Sequence, residues 1–322
     1  CSYVVPDSNK QDQDQTFYGL QLSPGAAVNN PGVTVSSYTI NFNNDDNTYQ
    51  FGPTIAGEIA QDFAAGITLY IHQRHVQRTL NQFLAFSNGG YEWTSFYYEL
   101  NETGLKPTLG LVWSPVDKVS LGLSMSKVTL LSSSRNIQLT YGLENLNIDS
   151  NGDGSVDTNS IPPIPQFDSI QTKKKYPLQT TLGVAYFPTT NLILSADLAY
   201  YTAVAGDNTL GDPTFSDRDA VVNWALGAEY YLSRTWAVRG GLFNSNANTP
   251  EIKAGSSSIA EEHIDLYGGS LSISNFTRNT SVSFGGSLTL GSGKAQIISG
   301  STSAQNVESL GWMLFLSSSY SY

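Results

Sequence analysis

The chain has 322 residues, of which 40% are hydrophobic and only 13% charged, with a formal net charge of -11. No apolar run approaches the ~20 residues of a spanning helix, and the acidic balance excludes the basic surface that nucleic acid selects. Membrane spanning therefore requires a closed barrel, the only other structure that satisfies every backbone donor and acceptor in lipid.

In chain order, the single cysteine stands first, as Cys1, and cannot form an internal disulfide. Followed by Ser2 and a polar segment, it resembles the start of a mature bacterial lipoprotein, so a lipid on Cys1 is the expectation, with an arbitrary start as the alternative. Residues 1–30 are rich in Gln, Asp and Asn without a sustained period, and read as a linker or small plug. Residues 31–322 read as one β domain. Strands are expected near Val33–Asn43 and Tyr49–Ile59, joined by the polar NNDDN, and a third carries Ile67, Leu69 and Ile71 on one face.

Gln77–Thr103 and Ser132–Thr172 read as long polar excursions, the first aromatic at Tyr91, Trp93, Phe96, Tyr97 and Tyr98. Leu105–Trp113 and Lys118–Leu131 flank a short turn between them. The clearest module follows at Leu178–Tyr201. There Leu178, Thr180, Leu182, Val184 and Tyr186 share a face, the chain turns at Pro188-Thr189-Thr190, and Leu192, Leu194, Ala196, Leu198 and Tyr200 continue that face. NWALGAEYYLSRTWAVRGGLF repeats the design, with Val222, Trp224, Leu226, Ala228 and Tyr230 answered by Trp236, Val238, Gly240 and Leu242. A last hairpin pairs Asp265–Ile273 with Ser281–Leu290, and Leu310–Tyr322 is the final strand.

Short turns at one end and long polar segments at the other distinguish this pattern from a soluble sandwich, whose turns are short at both ends. The predicted fold is all-β: a transmembrane antiparallel up-and-down barrel of about twelve strands, with about fourteen as the alternative. An even count places both termini on the short-turn, periplasmic side of a bacterial outer membrane. Trp113, Tyr186, Phe187, Tyr230, Trp236, Phe276 and Tyr320 cluster beside the short turns as an interfacial girdle would. The acidic excess, Asp45 and Asp46 included, is expected in solvated loops.

The modules TLGVAYFPTTNLILSADLAYY and NWALGAEYYLSRTWAVRGGLF, and more weakly TLGLVWSPVDKVSLGLSM, resemble hairpins of the FadL-like long-chain fatty-acid transporter family of outer-membrane proteins. The resemblance covers roughly residues 50–245 and implies a barrel that moves hydrophobic molecules, with an N-terminal hatch inside it. Here the first thirty residues are shorter and more polar than that hatch, and Ser23–Gly32 is a faint echo of it. A terminal strand with Leu314, Leu316 and Tyr320 at one parity resembles the signal read by the barrel-assembly machinery.

Inward-facing Asp197, Glu229 and Arg239 are the candidate lumen residues, Glu229 close to Arg239 across the Leu232–Thr235 turn, as a selecting ring or as a structural pair filling the lumen. Asp149, Asn151, Asp153, Ser155 and Asp157 occupy the spacing of the first half of an EF-hand-type calcium loop, with Gly154 at the bend and Ser160 where the bidentate Glu belongs. Calcium completed by Asp168 or a carbonyl, and an unliganded turn-rich loop, stand as the two readings. Lys173, Lys174 and Lys175 would meet lipopolysaccharide phosphates or stay solvated. No catalytic spacing is present and His72 and His75 differ in parity, so no enzyme is expected. The expected function is a channel or transporter for passive passage of small hydrophobic or amphipathic molecules; the alternatives are a structural, assembly-forming barrel working as a homo-oligomer and a general hydrophilic porin.

Overall fold

Alternation written over most of the chain leads to strands, and the computed structural model contains fifteen of them and no helix among the described residues, which are 2–19, 30–149, 151, 153–171, 174–206, 217–252, 262–295 and 304–320. In order they are β1 (Ser2–Tyr18), β2 (Val35–Gly52), β3 (Thr54–Ala60), β4 (Phe63–Phe86), β5 (Tyr91–Val116), β6 (Val119–Lys127), β7 (Thr129–Ile148), β8 (Thr158–Gln171), β9 (Leu178–Thr189), β10 (Leu192–Tyr201), β11 (Val221–Tyr231), β12 (Trp236–Ser245), β13 (His263–Phe276), β14 (Thr280–Ala295) and β15 (Gln305–Tyr320). The strand pairings described are antiparallel. The chain divides into two compact units, the first comprising Cys1–Gly52, Tyr70–Leu105 and Thr129–Lys174, the second Pro53–Leu69, Lys106–Val128 and Lys175–Tyr322.

The second unit is the predicted up-and-down sheet. Eleven strands follow one another as β3, β4, β5, β6 and then β9 to β15, with Phe63–Leu69 and Lys106–Val116 as the β4 and β5 portions. Among the described residues β3 and β15 are its edges and no pairing joins them, so the hydrogen-bonded ring expected of about twelve strands is not closed there. Its register carries one parity across the sheet: Leu121, Val184, Ala196, Leu226, Leu242, Gly269, Leu288 and Trp312 form one row. This face is apolar and open, with Leu226, Leu242, Leu288 and Trp312 at 51%, 59%, 50% and 73% exposure. In water such a surface would cost ~25 cal/mol for each Å² exposed, so it is a face for lipid. The opposite face carries glycine, alanine and hydroxyls, as at Ser195, Ser270, Ser272, Ser283, Ser287 and Thr289.

The first unit corrects three expectations. Ser2–Tyr18, read as linker or plug, is a strand paired with β2 from Ser2↔Gly52 to Tyr18↔Ser37. Its polar residues hid it from a hydrophobic period because exposure on both sides imposes none. NNDDN is not a turn, since β2 runs through it to Gly52. Pro53, which has no N–H to donate, interrupts the run before β3. The two long excursions are hairpins as well: β4 and β5 continue to a turn at Ser87–Gly90, with Gly89 at φ 80°, and β7 pairs with β8. The sheet of this unit runs β1-β2-β4-β5-β7-β8. Its buried face mixes Tyr38, Leu100 and Leu143 with Gln50, His72, Glu102 and Arg135.

Candidate functional site

On the inner face of the second unit, β11 and β12 pair so that Glu229 stands opposite Arg239, two residues inside the short turn end at Tyr231↔Ala237. Arg239 donates from Nε to Glu229 Oε2 at 3.0 Å and from Nη2 to Glu229 Oε1 at 3.2 Å, the two-pronged geometry a planar guanidinium favours. Its Nη1 donates to Ser274 Oγ on β13, and Ser274 in turn meets Ser283 Oγ on β14 at 2.6 Å. The guanidinium lies over the Phe276 ring, 5.6 Å from its centroid, and Phe276 stacks on Tyr231 at 6.1 Å. Four neighbouring strands thus supply one cluster: a paired charge, hydroxyls and two rings.

Sequence pattern places the pair; the rest of the cluster it did not show. Phe276, expected in the girdle beside the short turns, is turned inward with Ser274 by β13 parity, and Phe187 likewise shares the inward parity of Ala185. The remaining girdle residues, Trp113, Tyr186, Tyr230, Trp236 and Tyr320, do lie on the outward face and are exposed. Counting parity from Leu271, an outward residue, would have placed Phe276 correctly. Asp197 shares the inward face but not the level: Glu229 faces Ile193, four residues from Asp197, or about 13 Å along the strand. The three charges do not form a ring.

The loop between β7 and β8 is knit by its own amides. Asp149 accepts from Asp153 N and Gly154 N at 3.2 and 2.7 Å, Asn151 Oδ1 from Asp153 N at 2.9 Å, and Asp153 Oδ1 from Ser155 N at 2.8 Å. The Ser155 amide holds the Asp153 carboxyl below the usual range. Gly154 takes φ 84°, the left-handed conformation that glycine reaches without strain, and Asp157 N donates to Ile148 O. Ser160 enters the β8 ladder opposite Glu144, and Asp168 is bound by Arg135 at 2.7 Å, so neither reaches back to the loop. Among the described residues no group of three or more His, Cys, Asp or Glu side chains is arranged to hold a metal ion. Cys1 and Lys173 lie outside the described residues; Lys174 and Lys175 lie between β8 and β9.

A charge network in the first unit was not foreseen. Asp46, expected in a solvated loop, is inside β2 and accepts from Arg74 Nη2 at 2.6 Å and Nε at 2.9 Å. Arg74 also reaches Glu102 at 3.5 Å, whose side chain is fully buried. His72, beside it on the buried parity, meets Gln50 at 3.2 Å, whereas His75 faces out to Asn101. The signal was available in parity, since Asp46 alternates in step with buried Tyr38, Thr48 and Gln50. Asp45, of the other parity, pairs with exposed Lys10.

Neither a protein-family model nor a curated protein matches the sequence. Solved structures do. A Pseudomonas aeruginosa FadL homologue is similar over 99% of this chain and 73% of its own, with a TM-score of 0.56 at 14% identity. The fold is that of the FadL-like barrels. The P. putida toluene transporter TodX agrees over 98% of this chain and 77% of its own, with a TM-score of 0.52 at 14% identity. The CymD monoaromatic hydrocarbon channel covers 99% and 79%, with a TM-score of 0.51 at 13% identity. The Glu229–Arg239 cluster and the open apolar surface lie on opposite faces of the second unit's sheet.

Proposed function

We propose that this chain is a bacterial outer-membrane channel for the passive passage of small hydrophobic or amphipathic molecules, with its short turns on the periplasmic side. The observation that carries the reading is the contrast between the faces of the second unit: apolar and open outward, small and hydroxyl-lined inward, with one cross-strand bolt beside the turns. Small inward side chains leave room for a permeant. The bolt, made by Glu229, Arg239, Ser274, Phe276 and Tyr231, narrows the periplasmic end. The hydrocarbon channel and toluene transporter among the structural neighbours support an apolar permeant.

The test is single-channel conductance in planar bilayers together with entry of a membrane-impermeant amphipathic dye into proteoliposomes. Removing the bolt with Glu229→Ala and Arg239→Ala together is expected to raise both, without loss of the folded, heat-modifiable band on electrophoresis. Wild type and double variant that pass neither ions nor dye would overturn the channel reading.

A further inference from the structure

Few charges interrupt the inner face of the second unit. Among the described residues they are Glu58 near the β3–β4 turn, Lys106 where the β5 portion begins, Asp197, and the Glu229–Arg239 pair. Asp197 stands apart because it lies within β10 (Leu192–Tyr201) rather than at an end. Among the described residues no hydrogen bond or ion pair reaches its carboxylate. Arg239 is held by Glu229, about four residues, or roughly 13 Å, nearer the turn.

The row around Asp197 is built to leave it accessible. Gly122, Gly183, Asp197, Ala225, Phe243 and Gly268 stand side by side across β6, β9, β10, β11, β12 and β13. The carboxylate lies over Gly183, where a Cβ would stand 2.5 Å from Asp197 Oδ1, so the neighbouring position must be glycine for it to do so. On the other side Ala225 adds only a methyl. Beyond it, about two strand spacings or ~10 Å along, Phe243 lays its ring over Gly268. A solute on this row meets a carboxylate, a floor of backbone and methyl, and then an aromatic side chain.

We propose that Asp197 is a cation-recognition site on the permeation path, taking the ammonium end of an amphipathic organic cation whose apolar part extends over Ala225 toward Phe243. The proposal rests on the channel reading and narrows it, because a carboxylate in a small-residue lumen attracts a cation and repels an anionic permeant. Lumen side chains tune selectivity in a barrel, whereas a charge needed only for folding has a partner.

The experiment compares the full chain with Asp197→Asn and Asp197→Glu by two readouts. Calorimetric titration in detergent uses benzyltrimethylammonium and its neutral isostere neopentylbenzene. Reversal potentials are measured across planar bilayers under a KCl gradient. Asp197→Asn is expected to weaken binding of the cation about fivefold, the effect of one solvated charge contact at ~4 Å, and to lower cation over anion permeability, while neopentylbenzene is unaffected and Asp197→Glu behaves as wild type. Equal cation affinity and equal reversal potential in wild type and Asp197→Asn would overturn the site and leave the channel standing. Asp197-dependent binding in a protein that passes neither ions nor the amphipathic dye would overturn the channel reading, and with it the place of the site on a permeation path.

Discussion

Arg74 sits between the part-buried carboxylate of Asp46 and the fully buried one of Glu102, and the magnitude of its effect follows from what its loss would leave behind. With Arg74 shortened, Asp46 and the fully buried Glu102 lose the guanidinium between them. Removing one partner of a buried pair typically costs ~3–5 kcal/mol, mostly as the penalty on the charge that remains. Arg74→Met is therefore expected to lower the thermal midpoint of the detergent-solubilised protein by several degrees, while a second change, Asp46→Asn, recovers part of the loss. The Glu229–Arg239 pair is a different case. Its Arg side chain is 37% exposed, and exposed pairs contribute about 0–1 kcal/mol. Breaking it should alter conduction far more than stability, and a double-mutant cycle on the thermal midpoint should return a coupling near zero.

At the scale of elements, glycine positions separate packing from mere smallness. A Cβ at Gly285 on β14 would stand 2.5 Å from Ser272 Cβ, 2.6 Å from Phe315 Cζ and 2.7 Å from the Leu271 carbonyl. At Gly240 on β12 the nearest atom would be 3.8 Å away, an ordinary contact. Gly285→Ala should therefore destabilise by ~1–3 kcal/mol through overpacking, and Gly240→Ala by far less, as read from the two variants' urea midpoints in refolding into micelles. Pairing Gly285→Ala with Phe315→Leu should relieve only part, because Ser272 and a backbone carbonyl remain in the way. The β7–β8 loop offers a second element-scale test. Asp149 accepts two of the loop's amides and Gly154 holds its left-handed bend, so Asp149→Ala should expose the hairpin to proteolytic nicking near residues 149–157 while the rest of the chain stays resistant. If the nicking pattern is unchanged, those hydrogen bonds do not organise the loop.

For the molecule as a whole, the two faces of the second unit make opposite demands on the same substitution. Leu271 and Ser270 are adjacent on β13, one 65% exposed on the apolar face and the other on the hydroxyl face. Arginine facing lipid near the midplane costs ~2–4 kcal/mol, whereas a lumen position accepts it in water. Leu271→Arg should thus impair refolding into lipid vesicles and Ser270→Arg should not, although the latter should reduce conductance. Equal refolding of both would contradict the assignment of faces.

Where one face meets an apolar medium and the other does not, alternation is strict, and so the strands of the second unit, its short turns and the Glu229–Arg239 pairing are readable from residues alone. The modules at Leu178–Tyr201 and Val222–Leu242 show this, because a one-residue slip would send every leucine to the wrong face. Tertiary structure decided the rest. In the first unit β1 and β8 are largely exposed on both sides, and elsewhere polar side chains pack against one another, as Asp46 does against Arg74 and Gln50 against His72, so no hydrophobic period marks β1, β7, β8 or the long arms of β4 and β5. Cross-strand partners many residues distant, such as Ser274 and Phe276 for Arg239, depend on which strands become neighbours and in what register. A local pattern records the medium a face meets, and only pairing between strands determines which side chains meet each other.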